Sequence, residues 1–406
     1  MKVIFPFSYY YPEQCAGLFI LHDVSEALAK EGIESLIYVP TPTRNVPPNA
    51  NWERNEFQYN GKVHIHRFPM YNEGKNPFFR ALRYLLCEIV YTHKLLWSDY
   101  DVIYLDSTPP IQGLKLILVH LFRKKPVVHN AQDLFPESLV GSGLTKKGSL
   151  LWKIGTWVTN VTYSHCNKII TISEDCRKTL LEKGVPKEKL SVVYNWVDEK
   201  SIVPIAKKDN PLYEEFGLSR EKFRVVYAGN LGNAQNIDVI IDSALCLKEN
   251  NHIEFVLFGS GGLENEVKKR IEQDAINNVK IFPLQPSNKV SFVYSLGDLC
   301  IVSCKAGFGG SAMPSKTWSI LSTARPVLAN FDEGELKYML EKEGFGVFTK
   351  SGDVNAMVAA IEEASVHPEL CDEMGQKGRC FIEKYLTKEK NTKKYVEIIK
   401  SVCKLN

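Results

Sequence analysis

Short β-branched runs alternate with helix-patterned stretches along almost the whole chain, and no other feature narrows the possible folds as much. In the first half the runs are Lys2–Phe7, Ser35–Val39, Val102–Leu105, Val127–Val128, Lys168–Ile172 and Leu190–Tyr194. In the second half they are Arg224–Tyr227, Glu254–Phe258, Val279–Phe282, Leu299–Val302, Pro326–Leu328 and Gly346–Phe348. Near-continuous apolar strands separated by helices make parallel βαβ units whose sheets are covered on both faces. Two sheets of about six strands each predict an α/β protein of two doubly wound domains.

The break between them is the polar, Pro-containing stretch Asp198–Pro211, after which a fresh strand opens at Arg224. The domains are therefore expected over 1–200 and 201–384. Tyr385–Val402 reads as a Lys-rich amphipathic helix, and the segment 385–406 can dock back on the first domain. A chain of 406 residues suits two such domains. Its 50 Lys and Arg against 47 Asp and Glu leave no concentrated basic face, so a nucleic-acid partner is not expected. Ten cysteines without a C-x-x-C spacing read as reduced thiols of a cytoplasmic protein. The N-terminus reaches Pro6 and Ser8 too soon for a signal peptide, and no run of 18 apolar residues predicts a membrane span.

One stretch departs from the surrounding composition. Asn76–Trp97 gathers Phe78, Phe79, Leu82, Tyr84, Leu85, Leu86, Ile89, Val90, Tyr91, Leu95, Leu96 and Trp97 around Arg80, Arg83, His93 and Lys94. Two readings stay open: a large buried helix, or a helix lying on an anionic membrane surface. The second is supported by residues 1–200, where 24 Lys and Arg face 20 Asp and Glu.

Ligands of open α/β sheets bind beyond the carboxyl ends of strands, so chemistry is sought in the loops that follow them. After the strand at 224–227 come Gly229, Asn230, Gly232 and Gln235; after that at 254–258 come Gly259, Ser260 and Gly261. The most informative segment is Lys305–Ala329. Gly307, Gly309 and Gly310 form a flexible entry, Ser311, Met313 and Pro314 follow, and a helix is expected from Ser315 to Thr323 with Lys316 in its first turn. Dipole, free amides and a point charge together predict a diphosphate site there. Competing motifs carry less. Asp99-Tyr100-Asp101 has a metal-binding spacing but precedes its strand and reads as a solvated turn. His64-Ile65-His66 reads as an edge strand without a third ligand. Thr108-Pro109-Pro110 is either a plain turn or the lining of an acceptor cleft, and no G-x-S-x-G elbow supports a serine hydrolase.

These segments resemble the retaining glycosyltransferases of family 4, whose GT-B fold pairs two facing Rossmann-like domains. The resemblance is carried by Tyr11-Pro12-Glu13 with Gly17 and the helix Asp23–Gly32, by Asp133-Leu134-Phe135-Pro136-Glu137-Ser138 and Thr171-Ile172-Ser173-Glu174. It continues through Tyr194-Asn195-Trp196-Val197-Asp198, Tyr227-Ala228-Gly229-Asn230-Leu231-Gly232 and Phe258-Gly259-Ser260-Gly261. Met313-Pro314-Ser315-Lys316 with Ala324-Arg325-Pro326-Val327 looks most like the bacterial 2-acetamido-L-fucosamine transferases of O-antigen and capsule assembly.

The resemblance implies an enzyme that moves a sugar from a UDP-sugar to a polyprenyl-diphosphate-linked saccharide. It would work peripherally at the inner face of the cytoplasmic membrane, with an acceptor-binding first domain, a nucleotide-sugar-binding second domain and no metal cofactor. Two glutamates common in the family, eight positions apart, stand here as Ser311 and Ser319. The family's Arg and Lys after the first strand of the second domain stand as Asn230 and Gln235, which leaves Lys316 as the cation for the diphosphate. Gln132 occupies the place of a frequent His, and His129 lies three residues earlier. The candidate catalytic residues are therefore Lys316, Asp133 and His129. Two rival functions share the fold: a UDP-sugar 2-epimerase, and a non-catalytic sugar-nucleotide-binding partner.

Overall fold

A computed structural model describes residues 1–15, 17–74, 76–141, 145–309 and 312–403. The chain divides into two compact units, Met1–Tyr194 joined by the chain from Glu389 onward, and Asn195–Lys388.

Among the described residues the first unit holds one eight-stranded sheet. Its strands are β1 (Lys2–Pro6), β2 (Glu34–Pro40), β3 (Asn55–Gln58), β4 (Val63–Phe68), β5 (Val102–Leu105), β6 (Val127–Ala131), β7 (Lys168–Thr171) and β8 (Leu190–Val192), in the order β3-β4-β2-β1-β5-β6-β7-β8. Every pair is parallel except β3 with β4. The central strands are apolar throughout because helices cover both faces; Val3, Ile4, Phe5, Ile103 and Val128 have no solvent exposure. Six strands were expected. The two extra ones form the hairpin β3–β4, so the His64 and His66 strand is an inner one and β3 is the edge. His64 stacks on Phe57 at 4.4 Å and His66 Nδ1 lies 2.7 Å from Asn55 Oδ1, both partners on β3.

The second unit holds six parallel strands, β9 (Phe223–Asn230), β10 (Ile253–Ser260), β11 (Val279–Phe282), β12 (Leu299–Ser303), β13 (Val327–Phe331) and β14 (Gly346–Lys350), ordered β11-β10-β9-β12-β13-β14 among the described residues. Its core is Val225, Phe255, Leu257, Ile301 and Leu328 packed on the helices Ile237–Cys246 and Val354–Val366. The register pairs Val226 with Val256, Gly229 with Gly259 and Asn230 with Ser260. Both ladders run past the expected strand ends through their glycines, which places the two Gly-rich loops side by side.

The helix Pro368–Tyr385 precedes the C-terminal helix Lys388–Cys403, so the latter starts later than its amphipathic pattern suggests. The C-terminal helix buries Tyr395, Ile399 and Val402 in the first unit, and Tyr395 Oη donates to Asn130 Oδ1 at 3.0 Å. The Asp99–Asp101 turn lies at the amino end of the sheet: Lys2 Nζ reaches Asp99 at 3.0 Å and the Lys2 amide reaches Asp101 at 2.8 Å.

The helix Pro77–Trp97 is two-sided. Arg83, Cys87, Tyr91 and Leu95, spaced by four, are buried, whereas Phe78, Phe79, Leu82, Leu85, Leu86, Ile89 and Trp97 are exposed. Ile89 is 66% exposed and Trp97 77%, so the fully buried reading of this helix does not hold.

Candidate functional site

Each sheet reverses its strand order once, and such a reversal opens a crevice at the carboxyl ends of the flanking strands. In the second unit the reversal lies between β9 and β12, and the sequence-predicted loops converge there. Lys316 opens the helix Lys316–Ser322. Its ammonium lies 4.5 Å above the Tyr227 ring and donates to Tyr227 Oη at 3.2 Å, while that hydroxyl donates to the Asn230 carbonyl at 2.7 Å.

The side chain crosses Gly229, where a Cβ would overlap Lys316 Nζ and Cε and where φ is +147°. Glycine at 229 is therefore required both by the backbone and by the space the cation occupies. Among the described residues no carboxylate pairs with Lys316, and withdrawal from water pushes its pKa down to about 8. A partly buried cation without a carboxylate partner among the described residues, at the carboxyl ends of parallel strands, has a charge that an anion can match.

The neighbouring glycines also have steric causes. A Cβ at Gly259 would lie 2.6 Å from the Gly229 carbonyl, and one at Gly261 would lie 2.6 Å from Asn230 Oδ1. Asn230 Nδ2 donates to Gln235 Oε1 at 3.1 Å, across a Gly232 whose Cβ would meet the same amide at 2.5 Å. Ser260 is exposed at the end of β10, and Ser303 Oγ ties the Gln235 carbonyl down at 2.6 Å. Asn230 and Gln235 thus shape the loop and supply no charge.

Part of the expected anion site is not available as drawn from the sequence. The amides of Gly307 and Gly309 both donate to Asp332 Oδ2 at 2.8 Å, so these loop donors are already satisfied by a carboxylate. The helix has seven residues and starts at Lys316, not Ser315; the Thr317 and Trp318 amides bond to the carbonyls of Pro314 and Ser315 at 3.0 and 3.2 Å. Free amides and dipole therefore offer less than the sequence led us to expect, and the Lys316 ammonium is the charge left at this position. Gly309 is buried between the Phe331 ring and Cys304 Sγ; Met313 is buried, Pro314 and Ser319 partly so, and Ser315 is exposed. Gly310 and Ser311 lie outside the described residues. Two contributors escaped the sequence reading, Tyr227 under the ammonium and Asp332 under the loop, although Asp332 follows directly on β13 and the carboxyl-end rule points to it.

Asp133 and His129 belong to the first unit. Asp133 is exposed after β6, its amide 3.2 Å from Ser107 Oγ. His129 is buried, burial pushes its pKa down to about 4, and its Nδ1 has no partner. With Asp133, Gln112 and Tyr163 it lines a cavity of only about 20 Å³, room for a water and not for a sugar. An imidazole neutral throughout the physiological range does not act as a general base with a matched pKa, so the catalytic role expected of His129 has no support in its surroundings.

The reversal between β1 and β5 in the first unit opens a larger cavity of about 160 Å³, lined by Phe7, Ser8, Tyr9, Arg44, Tyr104 and Asp106 among others.

Comparison with known proteins follows this division. The model of Glycosyltransferase Family 4 matches residues 20–201, and that of Glycosyl transferases group 1 matches residues 211–381. "Probable glycosyltransferase WbjE" of Pseudomonas aeruginosa is 28% identical over 57% of this chain and 58% of its own length. The chain thus spans somewhat over half of that relative. The UDP-Gal:alpha-D-GlcNAc-diphosphoundecaprenol alpha-1,3-galactosyltransferase of Escherichia coli is 24% identical over 67% of this chain and 68% of its own. Among solved structures, sucrose-phosphate synthase from Thermosynechococcus elongatus superposes with a TM-score of 0.77 at 14% identity, covering 100% of both chains. Anabaena HepE in complex with UDP gives 0.75 at 14% identity, covering 99% of this chain and 100% of its own. With a GT-B fold throughout and the two models following one another along most of it, the chain carries a Glycosyltransferase Family 4 region followed by a Glycosyl transferases group 1 region.

Proposed function

We propose that the protein transfers a sugar from a UDP-sugar to a polyprenyl-diphosphate-linked saccharide in bacterial capsule or O-antigen assembly. The observation that carries this reading is the counter-ion-free Lys316 at the β9/β12 reversal, where a leaving diphosphate finds its charge matched. The acceptor class is suggested by the GlcNAc-diphosphoundecaprenol named for the Escherichia coli relative. The Met313–Lys316 and Ala324–Val327 resemblance favours an N-acetylated deoxyhexosamine such as L-FucNAc as the donor sugar. In the reaction the bond from the anomeric carbon to the diphosphate oxygen breaks and a bond to the acceptor oxygen forms. The acceptor proton passes to the departing diphosphate, on the face it leaves, which gives retention without a protein nucleophile. Lys316 holds charge that grows on the diphosphate as that bond breaks, and no resident metal is required for this.

The acceptor would be met at a membrane surface. The helix Gly113–Arg123 packs between Pro77–Trp97 and Leu150–His165, and all three expose large apolar side chains, among them Phe122 at 69% and Leu150 at 74%. The only acid in the three helices is Glu88, buried against Lys115 at 3.1 Å, while Arg80, Lys153 and the flanking Lys146 and Lys147 stay near the surface. An apolar face ringed by cations suits an anionic leaflet. No helix among the described residues is long and apolar enough to cross a membrane.

The test is UDP release. Incubation with UDP-sugars should release UDP only when lipid-linked saccharide is added. Epimerised donor without acceptor would support the epimerase, and UDP-sugar binding without turnover would support the silent partner.

A further inference from the structure

Around the carboxyl ends of β9, β12 and β13 the fold already engages the polar side chains of Asn230, Gln235, Ser303 and Asn330. Asn230 Nδ2 donates to Gln235 Oε1 at 3.1 Å, and Ser303 Oγ donates to the Gln235 carbonyl at 2.6 Å. Buried Asn330 donates to Thr349 Oγ1 at 3.0 Å and to the Lys350 carbonyl at 2.9 Å, while its Oδ1 accepts from the Gly352 amide at 2.8 Å. Asp332, directly after β13, is engaged through one oxygen only. Its Oδ2 accepts from the amides of Gly307 and Gly309, both at 2.8 Å. Its Oδ1 takes no hydrogen bond from the described residues, and the residue is half-buried, not closed off from solvent.

Strand register locates this oxygen relative to Lys316. Cys300 of β12 pairs with Val226 of β9 on one side and with Val327 of β13 on the other. Carried to the strand ends, that pairing sets Gly229, Ser303 and Asn330 level, with Asp332 two residues beyond them. Gly229 is the residue that the Lys316 ammonium crosses. Asp332 therefore stands two strands away from the cation, about 10 Å across the sheet and about 7 Å along it. A cation and a carboxylate held at such a separation orient a ligand that is anionic at one end and bears hydroxyls at the other, because the carboxylate repels phosphate and accepts from hydroxyls.

We infer that Asp332 selects the transferred sugar: Oδ1 accepts from a hydroxyl of the hexose in a nucleoside diphosphate sugar whose diphosphate lies at Lys316. The inference rests on the transferase reading and adds to it the group that discriminates among donor sugars. The two glycine amides hold the carboxylate in one place, so a sugar that presents no hydroxyl there covers Oδ1 without pairing it, which is unfavourable.

Calorimetry on the full chain, without acceptor, tests this with UDP, UDP-GlcNAc, UDP-GalNAc and UDP-L-FucNAc as probes. The wild type should separate the three UDP-sugars by about tenfold or more. Asp332→Asn keeps an oxygen for the two glycine amides and puts an NH₂ group where Oδ1 stood. In this variant the preferred UDP-sugar should lose about tenfold in affinity and the spread among the sugars should narrow. UDP affinity should be unchanged, which also checks that the loop keeps its place. Equal losses for UDP and every UDP-sugar would make Asp332 a loop anchor and nothing more. Tighter UDP would make its carboxylate an occupant of a phosphate site, and unchanged affinities throughout would leave it without a part in binding. Each of these results overturns the inference and leaves the transferase reading standing, as does a wild type that binds all three UDP-sugars no differently from UDP. Failure of the wild type to bind UDP at all overturns both.

Discussion

The crevices of the two sheets arise at the same kind of place, yet they are furnished on opposite plans. Between β9 and β12 the space is crossed by one cation, Lys316, laid over a glycine and an aromatic ring. Between β1 and β5 there is a cavity of about 160 Å³ lined by Phe7, Tyr104 and Asp106 among others, with burial pushing the Asp106 carboxyl up to about 7 and with the exposed Arg44 as the cation in its lining. The strand-order rule supplies a crevice in each unit, and side-chain chemistry sets the two apart: a cation laid across the space in one, a cavity with its cation at the exposed edge in the other.

The contrast breaks most sharply at Gly229. Gly229→Ala puts a methyl group where the Lys316 ammonium lies and strains a backbone at φ +147°, so UDP affinity should fall roughly 100-fold by calorimetry. Because both changes displace the same charge, Gly229→Ala with Lys316→Ala should be no worse than the more damaging single variant. Additive losses would mean that the two residues act separately.

Vesicle binding sharpens the comparison from the side of the first unit. Arg80→Glu with Lys153→Glu should lower partitioning onto anionic vesicles by at least about 30-fold, since each cation contributes about 1 kcal/mol and reversal adds repulsion. Arg83, although basic and on the same helix, is unsuited to this test because it is buried against Glu73 at 2.7 Å and its reversal would unfold the loops it holds. Unchanged sedimentation with vesicles would separate the three-helix face from lipid.

A smaller effect is the pH dependence of UDP binding. Lys316 has its pKa lowered to about 8, and the charged form is the one that binds. Affinity should hold below that value and fall by up to about tenfold per pH unit above it. Lys316→Met should abolish the decline. The smallest expected effect is that of EDTA, which should leave turnover unchanged; loss on chelation restored by Mg²⁺ or Mn²⁺ would return attention to Asp99 and Asp101.

The fold was legible because buried parallel strands announce themselves: Val225-Val226-Tyr227 and Phe255–Phe258 need both faces covered, and composition says so. β3 was not, because Asn55–Gln58 is half exposed and polar at an edge, where no core imposes a pattern. Lys316 was legible from its place after a Gly-rich entry. Its low pKa, its ring and the reason for Gly229 were not, since they depend on a side chain reaching back 89 residues to Tyr227. The same holds for Asp332 closing the 307–309 loop, and for the first unit's cavity, whose wall is assembled from segments as far apart as Ser8 and Asn130. The density of apolar residues on Pro77–Trp97 was visible, but only packing reveals which side Arg83 and Tyr91 take.

The central claim is that Lys316 is the charge that receives the nucleoside diphosphate, and UDP affinity measured by calorimetry for wild type and Lys316→Met tests it most directly. Met keeps the aliphatic stem over Tyr227 and removes only the charge. A contact of this kind is worth about 1.5–3 kcal/mol, so affinity should drop roughly 10- to 150-fold. The melting temperature should stay level or rise, because the charge is disfavoured in the folded state at every pH below its unfolded pKa. Equal UDP affinities in two well-folded proteins would contradict the account and move the diphosphate to another cation, with Lys305 the first to examine.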